Sequence, residues 1–193
     1  MNNKILGFFG LMGAPWLYLG MTAEEQFAAL KGTWFTGAWE LLYITGWICS
    51  IVALQRMKAT GESRFGKGVL WVLLASLIIA DISNVLLMII QHHQPAWWYF
   101  LDAFWPISNL IMLVVGIVVV KANVLQGWKR FVPLVVGCWF PLAAGSMYLN
   151  KAFSWFLGGF YSAIAWSLLA IVIISLNKSV AKTEDVKTHP VAA

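Results

Sequence analysis

Charged side chains are scarce in this chain: Asp, Glu, Lys and Arg make up 11% of its 193 residues, against roughly 25% in soluble domains. A soluble globule is therefore excluded. Cysteine is nearly missing, and two residues permit one disulfide at most, which rules out a stapled secreted domain. Polar low-complexity stretches are absent as well, so a chain that is 61% apolar and 15% aromatic is not a disordered one. No GxSxG, HExxH, Walker, Rossmann or CxxC pattern occurs, so nucleotide, nucleophilic and redox chemistry lack their usual sequence support and no cofactor is implied.

Apolar runs remain, separated by short polar or turn-rich segments. About 20 mainly apolar residues cross a bilayer, and the runs predict an all-α, polytopic membrane bundle of six transmembrane helices with short loops, near 5–21, 33–55, 69–91, 97–120, 131–149 and 154–176. The six helices form one domain over 1–176, and 177–193, with both charge signs and few large apolar groups, reads as a mobile cytoplasmic tail. Gly7, Gly10, Gly13 and Pro15 interrupt the first helix and predict a bend at Pro15. The region after it offers a poor cleavage site, so a signal peptide is disfavoured. Glu24, Glu25 and Phe27 fall in an Ala-rich segment, 22–31, that reads equally as a surface helix or a plain loop.

Charge decides the orientation. With an even number of crossings, Lys4, Arg56, Lys58, Arg64, Lys67, Lys121, Lys129, Arg130, Lys178, Lys182 and Lys187 share one side, and only Lys31 and Lys151 face the other. The positive-inside rule then places both termini in the cytoplasm of a cell whose inner (plasma) membrane holds the protein. The net charge of +5 is explained by topology and by anionic lipid heads, without nucleic acid.

Of twelve tryptophans, eleven divide into two groups. Trp34, Trp39, Trp97, Trp98, Trp155, Trp71 and Trp128 stand near expected interfaces and read as an aromatic belt. Trp47, Trp105, Trp139 and Trp166 stand deeper, where an indole N–H needs a partner, and are expected in the bundle interior. Ser154, Gly158 and Ser162 form a small-residue stripe on the last helix, suited to close packing within the chain or against a second subunit. Pro106, Pro133 and Pro141 predict bends in the fourth and fifth helices. Cys49 and Cys138 fall within spans and read as small packing residues.

The ionisable residues inside the spans carry the functional reading, since a buried charge costs about 2.5–3.5 kcal/mol on insertion scales. Glu40, Asp81 and Asp102 belong to three consecutive helices, roughly 10, 15 and 8 Å below their outer ends at 1.5 Å per residue. Periodicity groups Glu40 with Tyr43 and Trp47, Asp81 with Asn84, and Asp102 with Trp105 and Asn109. If those faces converge, they line an outward-facing polar-aromatic pocket that binds or transports a small solute or proton. Two other readings compete. In one, the acids and amides are structural glue in an accessory or scaffold subunit, whose partners are lipids, further copies or a larger membrane complex. In the other, His92 and His93 join Asp102 in a metal-dependent enzyme; adjacent histidines point apart on a helix, and a helix-end cap is the simpler account.

Overall fold

The computed structural model describes residues 2–146 and 151–188, with side chains for 2–146 and 157–176. Among these, nine α-helices and two short 3₁₀ turns are found, and no strand. The helices are α1 (Asn3–Gly13), α2 (Trp16–Gln26), α3 (Trp34–Arg56), α4 (Arg64–Ile90), α5 (Ala96–Asp102), α6 (Phe104–Ala122), α7 (Val132–Gly137), α8 (Trp139–Ser146) and α9 (Lys151–Thr188).

Short polar caps start the long helices. Thr33 accepts the amide of Phe35 at 3.2 Å at the head of α3, and Ser63 accepts that of Gly66 at 3.0 Å at the head of α4. Prolines set the breaks. A proline has no N–H for the carbonyl four residues back, and its ring collides with that carbonyl. Pro106 stands four residues after Asp102, where α5 stops, and Pro141 four after Gly137, where α7 stops. The bend expected at Pro15 is the junction between α1 and α2.

Among the described residues, five stretches are long and apolar enough to cross a membrane: Asn3–Gln26, Trp34–Arg56, Arg64–Ile90, Ala96–Ala122 and Leu157–Leu176. The expected fifth span, 131–149, is not among them. It is divided into α7 and α8 by the break before Pro141, and its last residues, 147–149, lie outside the described ones. At the other end, the tail expected from Asn177 continues helical to Thr188, and 189–193 lie outside the described residues. The segment 22–31 is neither loop nor separate surface helix at its start, because α2 runs on to Gln26 before a 3₁₀ turn at Ala28–Leu30.

Helix α3 packs against α1, α4 and α9, while α6 lies between α4 and α7, and α8 leans on α9. The α1–α3 contact is backbone to backbone. A Cβ on Gly46 would lie 2.7 Å from Gly13 Cα and 3.1 Å from the Phe9 carbonyl oxygen. The outer surface is apolar, with Ile78, Ile82, Val85 and Ile89 of α4 all exposed. Of the expected aromatic belt, Trp34, Trp71, Trp97 and Trp128 are exposed; Trp39 and Trp98 are buried instead, because their indoles donate to Glu24 and to the Ser83 carbonyl. The Trp155 side chain lies outside the described ones. Gly158, Gly159 and Ser162 of the small-residue stripe are buried within the chain, Gly159 directly against Tyr18.

The turn between α3 and α4 carries an exposed cluster in which Glu62 sits 2.5 Å from both Lys58 Nζ and Lys67 Nζ. These hydrogen bonds, from Lys58 first and then Lys67, pull the Glu62 carboxyl down to about 2 from its usual 4.5. A depressed folded-state value means the stabilisation is complete above the unfolded value and disappears as pH falls towards 2. Thermal melts of wild type and Glu62→Gln should therefore differ slightly at about pH 6 and coincide near about pH 2, and the difference should shrink in high salt.

Candidate functional site

Six residues separate Glu40 from Trp34 at the start of α3, Asn84 from Ile90 at the end of α4, and Asp102 from Ala96 at the start of α5. At about 1.5 Å per residue, all three lie roughly 9 Å inside the same end of the bundle. They line one cavity of about 270 Å³, together with Leu17, Met21, Glu24, Trp39, Tyr43, Ile44 and Trp105. No lysine, arginine or histidine is among the lining residues.

Each wall has a local cause. Asp102 reaches the cavity from the last residue of α5, the position at which Pro106 ends that helix. Glu24 comes from the last turn of α2, and its Oε1 accepts from Thr36 Oγ1 at 2.5 Å and from Trp39 Nε1 at 3.0 Å. Trp39 lies so close to α2 that a Cβ on Gly20 would fall 2.2 Å from its ring. Glycine at that position makes room for the indole that fixes Glu24. Among the described residues no hydrogen bond reaches the carboxylates of Glu40 or Asp102, which face the cavity with their acceptor capacity open.

Two further wall groups are deeply buried. Tyr43 is 1% and Asn84 2% exposed, and their polar ends face Ser162 and the Asp81 carboxylate respectively. Below them Tyr43, Trp47 and Trp166 form an aromatic floor, with ring centroids 5.1–6.2 Å apart, and Trp139 abuts Trp166 while donating to the Gly158 carbonyl at 2.6 Å. These pairs are tilted or edge-to-face, the arrangement favoured by ring quadrupoles.

Of the residues singled out from sequence, Glu40, Tyr43, Asn84, Asp102 and Trp105 share the cavity. Trp47 is wholly buried in the floor, and Asn109 is buried behind the wall, its Nδ2 donating to the Trp105 carbonyl at 3.0 Å. Asp81 does not join the other acids. Its Oδ2 accepts from Thr45 at 3.0 Å, and it borders an apolar groove with Ile48, Ile78, Ile82 and Val85 on the outside of the α3–α4 pair. Positions 81 and 84 differ by about 60° around a helix, enough to put one residue on each side of the wall. Glu24 and Trp39 are the residues that sequence reasoning missed. Leu17, Met21 and Glu24 follow the i, i+4, i+7 spacing, a signal that becomes legible once α2 is seen to extend to Gln26.

His92 and His93 follow the end of α4, exposed and outside the cavity lining. Among the described residues no group of three His, Cys, Asp or Glu is placed to hold a metal ion. No family model, curated protein or solved structure matches this chain at a significant level. Function is therefore argued from the cavity's own chemistry.

The position of Asp81 leads to an expected result. In Asp81→Asn the amide oxygen would still accept from Thr45, so the variant should stay within about 1 kcal/mol of wild-type stability and leave any cavity-linked response intact. A lost response would place Asp81 in the functional path after all.

Proposed function

We propose that this is a six-crossing membrane protein of the cell's inner membrane, both termini cytoplasmic, whose cavity faces outwards and binds or passes a small cationic solute or proton. The sixth crossing in this reading is the broken α7–α8 segment. The orientation rests on the positions of the bases: Lys4, Arg56, Lys58, Arg64, Lys67, Lys121, Lys129 and Arg130 belong to the end of the bundle opposite the cavity, and Lys31 to the cavity's own end.

The observation that carries the reading is the gathering of Glu24, Glu40 and Asp102 around one hollow with no base among its walls. Buried carboxylates without a counter-charge are costly. Structural glue would tie these acids to neighbouring helices, as Thr45 ties Asp81 Oδ2; Glu40 and Asp102 keep their acceptor capacity for an occupant. A cation or proton offsets the repulsion that three clustered acids create.

The test is tryptophan fluorescence of the detergent-purified full chain, since Trp39 and Trp105 line the cavity. It would be titrated with acid, sodium, magnesium and small ammonium salts. A saturable response to at least one of these, abolished in Glu40→Gln, is expected. A folded wild type that responds to none would favour a scaffold subunit.

A further inference from the structure

At the end of the bundle opposite the acidic cavity, the turn after α3, the head of α4 and the end of α6 border a surface groove of about 440 Å³. We propose that this groove binds one anionic phospholipid of the surrounding leaflet. The inference is independent of what the acidic cavity holds. Phe65, Val114, Ile117 and Val118 give the groove apolar walls, while Ser63 and Lys121 give it a polar end. No Asp or Glu is among its described lining residues.

The apolar walls fit an acyl chain. Positions 114, 117, 118 and 121 follow the i, i+3, i+4, i+7 spacing of one helix face, so an apolar strip runs along α6 and ends on a charge. At about 1.5 Å per residue, that strip is roughly 10 Å long. This is about a third of the hydrocarbon thickness, too short to seat a membrane-crossing helix along its length and sufficient for the part of an acyl chain nearest its headgroup. Phe65, Val114 and Ile117 are exposed and belong to stretches apolar and long enough to cross a membrane. Acyl chains are what such side chains meet there.

The polar end selects the headgroup. Among the described residues Lys121 has no ion-pair or hydrogen-bond partner, and Glu62, the acid next to Ser63 in the chain, is engaged by Lys58 and Lys67. Ser63 Oγ accepts from the Gly66 amide at 3.0 Å and keeps its own hydrogen to donate. Gly61, at φ +78°, brings the turn up to α6, where an added Cβ would lie 3.4 Å from that of Ala122. Ser63 is thereby held beside the helix end that carries Lys121. Phosphate oxygens accept from an ammonium and a hydroxyl together, in strong charge-assisted bonds, and the exposed Arg64 adds a second positive charge directly after Ser63. A zwitterionic lipid brings its own cation to this basic end, and free phosphate leaves the apolar strip unfilled. The outer groove beside Asp81 has similar apolar walls but a carboxylate and no base, so it repels such a headgroup.

Native mass spectrometry of the detergent-purified full chain, titrated with phosphatidylglycerol or phosphatidylcholine of identical acyl chains and with inorganic phosphate, tests this. Phosphatidylglycerol should bind with an apparent Kd at least about fivefold below that of phosphatidylcholine, and inorganic phosphate should not displace it. Lys121→Gln, at an exposed position, should bring the two lipids within about twofold of each other. Lys129→Gln, exposed at the same end but outside the groove lining, should keep the wild-type preference. Ile117→Trp, which fills the groove without altering charge, should cost affinity for both lipids. Equal binding of the two lipids by the wild type overturns the inference. Equal losses in Lys121→Gln and Lys129→Gln overturn it too, because the attraction is then spread over the whole basic face. Displacement of the lipid by inorganic phosphate overturns the acyl-chain assignment and leaves a plain anion site.

Discussion

Gly46→Val should be among the most damaging single substitutions in the bundle. The Cβ it adds meets Gly13 Cα at 2.7 Å and the Phe9 carbonyl oxygen at 3.1 Å, and the reverse contact, from Gly13 to the Leu42 carbonyl oxygen, is also 2.7 Å. These neighbours are backbone atoms of two regular helices, so relief requires α1 and α3 to separate along their length. Overpacking a core commonly costs about 1–3 kcal/mol. Here the loss should exceed about 3 kcal/mol, since the separation also disturbs the helix that carries Glu40. The measurement is the thermal midpoint and the yield of monodisperse protein. Gly68→Ala is the matched control: nothing lies within 4 Å of the added carbon, and alanine gains about 1 kcal/mol of helix propensity over glycine. A Gly46→Val protein as stable as wild type would mean that the two helices do not touch through their backbones.

Glu40→Gln should have the largest functional effect and the opposite effect on stability. Glu40 faces Glu24 and Asp102 across the cavity, and their mutual repulsion is unrelieved by any basic wall residue. A neutral amide of the same shape removes both the repulsion and the cost of holding a charge away from water. The ligand-free variant should be about 1–3 kcal/mol more stable than wild type at a pH alkaline enough to ionise the wild-type Glu40. That gain should shrink as pH falls and the wild-type carboxylates take up protons. The same variant should lose the fluorescence response to protons or amines altogether. Stability gained together with function lost is the mark of a residue retained for binding. A Glu40→Gln protein that is both destabilised and unresponsive would indicate a structural acid. Thermal melts at about pH 9.5 and about pH 6, beside the titrations, separate the two cases.

Much of this architecture was legible before any coordinates. Apolar length and spacing mark out the helices, and the prolines mark their breaks, because both are local properties of the chain: Pro106 ends α5 at Asp102 whatever surrounds it. Local chemistry also identified Glu40, Asp102, Tyr43, Asn84 and Trp105 as unusual residues for a membrane span. Tertiary packing decided which of them meet. Asp81 and Asn84 read as one face, yet Asn84 lines the cavity while Asp81 turns to Thr45 and the apolar outer groove. Glu24 looked like part of an exposed outer segment and instead stands beside Glu40, fixed by Thr36 and Trp39. Spacing along a helix determines angles between its own side chains. The rotation of that helix about its axis is set by its neighbours, here by backbone contacts such as Gly13 on Gly46 and Gly20 under Trp39, and those contacts exist only once the chain has folded.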